Sequence, residues 1–201
     1  MPKSGPFDLR LDDLIVLTEA ASGNYVVTPI IAAMSGAKVF AFTKNSKYGT
    51  VNEVKSQTMS LAKQMGVANS IKVINSLTKI DLSEINILTN TGFLRPINGK
   101  IIEKLSSGAV IPLMWEPWEF RKEDLDIDAC RKKGIKVYGT NESDSRLRTM
   151  EYLGFTVLCH LLKNKKSPFS ANVLLLADKY FGNAIESVLC KNEYNISWIS
   201  E

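Results

Sequence analysis

The feature that most restricts the folds open to this chain is a regular alternation of β-rich and helical runs from Leu14 to Asn141. "LIVLTE" (Leu14 to Glu19) is followed by a Ser22-Gly23-Asn24 turn, and then by a helical pattern that runs to Met34 and stops at Gly36. "KVFAFTK" reads as the next strand. After the loop "NSKYG", Thr50 with Glu53 three residues on makes a capping box, opening a helix that runs to about Met65 and stops at Gly66. "SIKVINSL" and "INILTN" are two further strands, "NGKIIEKLSS" a helix, "DLDIDACRKKG" a helix closed by Gly134, and "IKVYGTN" a strand. Between the last two helices lies "GAVIPLMW", which has no polar alternation. A strand of that kind is buried on both faces, as in the middle of a parallel sheet. Strands and helices alternating at this spacing predict a doubly wound parallel α/β sheet with right-handed crossovers.

The pattern divides the chain into three parts. Residues 1–143 form a Rossmann-like or flavodoxin-like α/β domain. Residues 144–170 hold a long crossover helix and the linker "KNKKSPFS", and residues 171–201 an incomplete second βαβ unit. Two strands and one helix bury too little to stand alone, so this last unit must pack on the first domain or on another chain. A homodimer in which the tails dock or swap would satisfy it, with Trp198 as an exposed anchor.

Charge and composition remove several function classes. A net charge of +4 with scattered basic residues lacks the dense basic face of a nucleic-acid binder. The longest apolar runs, such as "VVTPIIAAM" and "FTVLCHLL", are too short to span a bilayer, and the N-terminus lacks a signal-peptide layout. Cys130, Cys159 and Cys190 are odd in number, unpaired in spacing and set among apolar neighbours, so buried free thiols and a reducing cytoplasm are expected. His160, the single histidine, reads as a packed core residue with no ligand partners at metal spacing. No metal site is therefore expected.

In an open α/β sheet, ligands bind beyond the carboxyl ends of the strands, and here that rule selects the loops "TEAASGNY", "KNSKYGT", "NTGFLRPI", "WEPWEFR" and "GTNESDSR". Ser46, Lys47 and Thr50 stand beside the free N–H groups of a helix start, which suits either an anion or a capped helix with solvated lysines. Gly92 and Arg95 suit a carboxylate held by a guanidinium fork, or equally an Arg–Glu surface pair. Trp115 and Glu116 form a pocket wall with a polar handle, or a protein interface. Asn141 completes the substrate-binding candidates in the last loop.

The text "DIDACRKKGIKVYGTN", the helical pattern from Asp144 and the strand and turn "NVLLLADKYFG" resemble, in order and spacing, the D-isomer-specific 2-hydroxyacid dehydrogenases. That resemblance covers the last third of the chain in its text, and Leu14 to Ser107 only as an alternating pattern. It implies a substrate domain, a crossover helix and the start of an NAD(P)-binding domain, acting on small 2-hydroxy or 2-oxo acids. The cofactor positions it implies are Asp178, Gly182 and Glu201, the last as the acid that binds ribose hydroxyls. The family's three loop glycines fall on Ala177, Lys179 and Gly182, so the turn and pyrophosphate-approach glycines are missing and NAD(P) binding is weakened. The family's catalytic Arg, acidic residue and His come from beyond Glu201, so 201 residues are not expected to hold a complete hydride-transfer site. Two readings follow: a dehydrogenase-like protein with a small anionic ligand, or a non-catalytic binding or assembly module that kept the fold.

Overall fold

A computed structural model describes residues 9–114, 120–141, 144 and 146–200. By contacts the chain divides into two units, 1–140 and 141–201.

The first unit contains β1 (Ile15–Glu19), α1 (Val27–Met34), β2 (Lys38–Phe42), α2 (Val51–Gln64), β3 (Ile71–Ile74) and β4 (Ile87–Leu88). The chain continues with α3 (Gly99–Ile102), β5 (Val110–Pro112), α4 (Ile127–Lys133) and β6 (Lys136–Tyr138). The six strands are all parallel in the order β3-β2-β1-β4-β5-β6. This is the Rossmann order, which decides between the two sheet types the sequence left open.

The alternation along each strand builds two apolar layers. Val16, Val39 and Ala41 point to the α1 and α2 side, where Ile30, Ala33, Val54 and Ala62 cover them. Leu17, Phe42, Leu88 and Ile111 point to the other side, under Leu94, Ile102, Leu125 and Cys130. Each fully buried Leu or Ile contributes roughly 1.5–3 kcal/mol over an exposed one, so both layers are needed to hold the sheet.

Helix ends follow their local chemistry. Thr50 and Glu53 form the reciprocal capping box at the start of α2, and Asp126 caps α4, which closes at Gly134 with φ +77°. The helix expected over "NGKIIEKLSS" is a single turn, capped by Asn98. The helix expected from Asp144 starts only at Thr149, because the Asp144 carboxylate binds the Arg146 backbone and side chain and Arg148 adopts a left-handed conformation.

The second unit consists of α5 (Thr149–Lys163), β7 (Asn172–Leu176), α6 (Lys179–Lys191) and β8 (Asn195–Ile199), with β7 and β8 parallel. Ile185, Leu189 and Tyr194 form its core with Leu153, Val157, Leu161, Val173 and Leu175. Three expectations are corrected here. Cys159 and Cys190 are exposed, because the inward stripes of their helices run through Val157 and Leu161 and through Val188 and Leu189; only Cys130 is buried. His160 lies on the outward side of α5 and is exposed. Trp198 is not a free anchor, since its ring is half-buried over Gly182 and its Nε1 donates to the Ala177 carbonyl at 3.0 Å.

The contact between α5 and α6 depends on Gly154, which is buried. A Cβ there would stand 2.5 Å from Val188 Cγ2 and 2.8 Å from the Ala184 carbonyl oxygen. Gly154→Ala is therefore expected to destabilise the second unit by about 1–3 kcal/mol through overpacking, despite alanine's higher helix propensity. Chemical denaturation followed by circular dichroism checks this, and an unchanged midpoint would contradict the close approach.

Candidate functional site

The strand order reverses between β1 and β4, because the chain leaves β1 for β2 on one side and returns to β4 on the other. Clefts in sheets of this type open at the carboxyl ends of the strands flanking such a reversal. Leu17 pairs with Leu88, and the Thr89 N–H donates to the Leu17 carbonyl at 3.0 Å. Glu19 is the last residue of β1, and Asn90 lies two residues past the end of β4.

Glu19 is half-buried and Asn90 fully buried. The Glu19 carboxylate accepts the Phe93 N–H at 3.2 Å and lies against Gly92. Gly92 has φ +38°, and a Cβ there would overlap that carboxylate, so the residue is glycine on both steric and backbone grounds. Burial pushes the Glu19 carboxyl above its ordinary 4.5, against the opposing pull of the Phe93 N–H and the Arg95 charge. Asn90 Oδ1 accepts the Met114 N–H at 2.6 Å, which fixes which end of the amide is which, while its Nδ2 has no partner among the described residues. Thr43 Oγ1, just past the end of β2, is also buried without one. An unpaired buried donor costs about 1–3 kcal/mol, so Asn90 is an uncommon feature to find at a cleft. A chain of hydroxyls links Thr18, Thr89 and Thr91 at 2.8 and 2.9 Å.

The predicted residues fall as follows. Gly92 and Arg95 lie at this edge, with Gly92 against Glu19 and Arg95 paired to Asp124 at 3.3 Å. Arg95 is thus set between two carboxylates, Asp124 by contact and Glu19 through its field. Ser46, Lys47 and Thr50 form a separate group whose donors are engaged locally. Ser46 Oγ accepts from the Tyr48 N–H, Asn45 Oδ1 from the Val51 N–H at 2.8 Å and Thr50 Oγ1 from the Glu53 N–H at 3.3 Å, while Lys47 lies 4.9 Å from the Tyr48 ring. Asn141 is exposed and falls in the second unit, where its carbonyl accepts the Asp144 N–H. Trp115, Glu116 and Glu201 lie outside the described residues. Glu19 and Asn90 were within the quoted strands but not singled out. The signal that finds them is position, since a carboxylate and an amide stand at or just past the carboxyl ends of two adjacent parallel strands.

In the second unit, Asp178 caps α6. Its Oδ1 accepts the N–H groups of Tyr180 at 2.8 Å and Phe181 at 3.1 Å. Gly182 admits the Trp198 ring, which a Cβ would overlap. These residues do not fit a dinucleotide pyrophosphate. The donors at the start of α6 already hold a carboxylate, whose charge repels phosphate. Among the described residues no group of three or more His, Cys, Asp or Glu gathers to hold a metal, and no helix is long and apolar enough to cross a membrane.

No family model and no curated protein sequence matches the chain. Solved structures do. One is a dipicolinate synthase polypeptide from Bacillus halodurans, similar over 94% of this chain and 62% of its own, at a TM-score of 0.54 and 9% identity. Its counterpart in the dipicolinate synthase from Bacillus subtilis matches over 95% and 62%, at 0.55 and 10%. CurA from Vibrio vulnificus, solved in complex with NADPH, matches over 96% and 58%, at 0.42 and 17%. The chain spans 62% of the length of the two synthase polypeptides, and at these identities the likeness shows the fold, a Rossmann-like one.

The Glu19 environment has a measurable consequence. A carboxyl whose pKa is raised by folding binds its proton more tightly in the folded state. Its stabilising contribution is full below 4.5 and is lost as pH rises through the folded value. Glu19→Gln, which can still accept the Phe93 N–H, is expected to raise Tm at pH 7, with the gain fading as pH falls through the raised folded value and gone below 4.5. A gain independent of pH, or a loss at pH 7, would contradict the burial of this charge.

Proposed function

We propose that this chain is a Rossmann-fold relative of the NAD(P)-dependent oxidoreductases that binds a small 2-hydroxy acid at the carboxyl ends of β1 and β4, without taking up NAD(P) through its second unit. The observation that carries this reading is the buried Asn90 amide just past the end of β4, whose Nδ2 has no partner among the described residues, with the half-buried Glu19 carboxylate at the end of the neighbouring β1. The Asn90 Nδ2, without a partner among the described residues, donates to a ligand oxygen, and the Glu19 carboxylate accepts from a ligand hydroxyl. A 2-hydroxy acid offers a carboxylate acceptor and a hydroxyl donor on adjacent carbons, whereas a 2-oxo acid offers acceptors alone. Arg95 offsets the repulsion between Glu19 and an incoming carboxylate, and Asp124 holds it in place. The capped start of α6 supports the second half of the reading, because the phosphate-binding donors are already in use.

Calorimetric titration with lactate and with pyruvate tests the ligand. Lactate is expected to bind at least tenfold more tightly, and Asn90→Ala to weaken it by tenfold or more, the equivalent of about 1.4 kcal/mol. Equal affinity for the two acids, or full binding by Asn90→Ala, would overturn the assignment. In a parallel titration NADH is expected to leave the tryptophan fluorescence unsaturated at millimolar concentration. A saturable micromolar response would restore a cofactor-dependent dehydrogenase.

A further inference from the structure

Among the described residues, the core of the second unit draws on one side of its longest helix. Leu153, Val157, Leu158 and Leu161 of α5 pack inward with α6 and the two strands. On the opposite side Tyr152, Phe155 and Leu162 are 74%, 42% and 52% exposed, and Cys159 is exposed between them. The spacing 152, 155, 159, 162 alternates three and four residues, which is the seam by which one helix packs along another. Single exposed apolar residues need no explanation, but four in register on one helix face do.

We propose that this stripe seats α5 of a second copy of the chain, antiparallel, about a two-fold axis at the level of Val157. The sequence of the stripe is self-complementary about that point. Tyr152 and Leu162 are equidistant from Val157, as are Phe155 and Cys159, so each large side chain of one copy meets a smaller one of the other. A two-fold interface requires this reciprocity. The charges at the rim obey the same relation. Glu151 and Lys163 are also equidistant from Val157, so antiparallel pairing sets each glutamate against the other copy's lysine, whereas parallel pairing would oppose like charges. Antiparallel helices also align their dipoles favourably. Glu151 already pairs with Arg148 at 2.6 Å, so these rim charges set orientation more than affinity. One helix face buries less than the ~800 Å² per partner of a standard interface, so the dimer is expected to be a weak, reversible one.

The outer face of β7 and β8, with Leu174, Leu176 and Ile199 exposed, is a second apolar surface of this unit and serves as the control. Sedimentation equilibrium of the full chain across the micromolar range is expected to show mass rising from monomer toward dimer. Phe155→Asp should hold it at monomer, with an unchanged far-ultraviolet spectrum confirming the fold, while Leu174→Asp should leave association intact. Glu151→Lys and Lys163→Glu should each weaken the dimer severalfold and restore it when combined. A chain that stays monomeric throughout, a dimer indifferent to Phe155→Asp, or one abolished by Leu174→Asp would each overturn the proposal, as would two charge variants whose effects add instead of cancelling.

Discussion

In the first unit β1 and β4 lie side by side with Leu17 opposite Leu88, and both leucines are all but fully buried. This parallel register is the constraint on which the other features depend. A one-residue slip would turn Leu17 and Leu88 to the opposite layers and expose each layer's partners to the wrong helices. Because the register is held by burial on both faces, it also fixes what stands two residues further on. Glu19 and Asn90 are carried to the sheet edge by the same register that buries the leucines. The placing of these polar groups at the carboxyl ends of the strands is thus a consequence of the core.

The two units handle their helix starts in opposite spirit to a nucleotide site. In α2 the first turn is closed by Thr50, Glu53 and Asn45, and in α6 by Asp178. Each device places an acidic or amide oxygen where a phosphate would otherwise accept. The N-terminal charge of the helix is thereby spent inside the chain. At the β1/β4 edge the reverse holds. There, among the described residues, the Asn90 Nδ2 has no partner, and the partly desolvated Glu19 carboxylate accepts the Phe93 N–H. The contrast is what the proposed ligand site at the switch in strand order rests on.

Much of this architecture was legible in the residues. Gly36, Gly66 and Gly134 mark helix ends with positive φ, the Thr50–Glu53 pair marks a start, and the apolar run around Ile111 marks an inner strand. Local chemistry decides such features, so a local reading finds them. The exposed faces of α5 were harder. "TVLCHLL" is apolar nearly all round, and its hydropathy does not say which side meets α6. Only the close approach at Gly154 and Val188 decides that His160 and Cys159 face outward. Arg95 illustrates the same limit. Its loop suggested a fork for a ligand carboxylate or a surface ion pair, and the partner it meets, Asp124, lies in a segment no spacing rule connects to it. Asn90 was invisible for a related reason, since an unpaired amide is recognised only when its neighbours are known.

The most direct measurement is of the Asn90 side chain itself. In a ¹H–¹⁵N spectrum, adding lactate is expected to shift the Asn90 Nδ2 resonances saturably and to slow their exchange with water, with the Met114 amide following through its bond to Oδ1. If those resonances stay fixed while lactate perturbs signals elsewhere, the ligand binds somewhere other than the β1/β4 edge and the account is wrong.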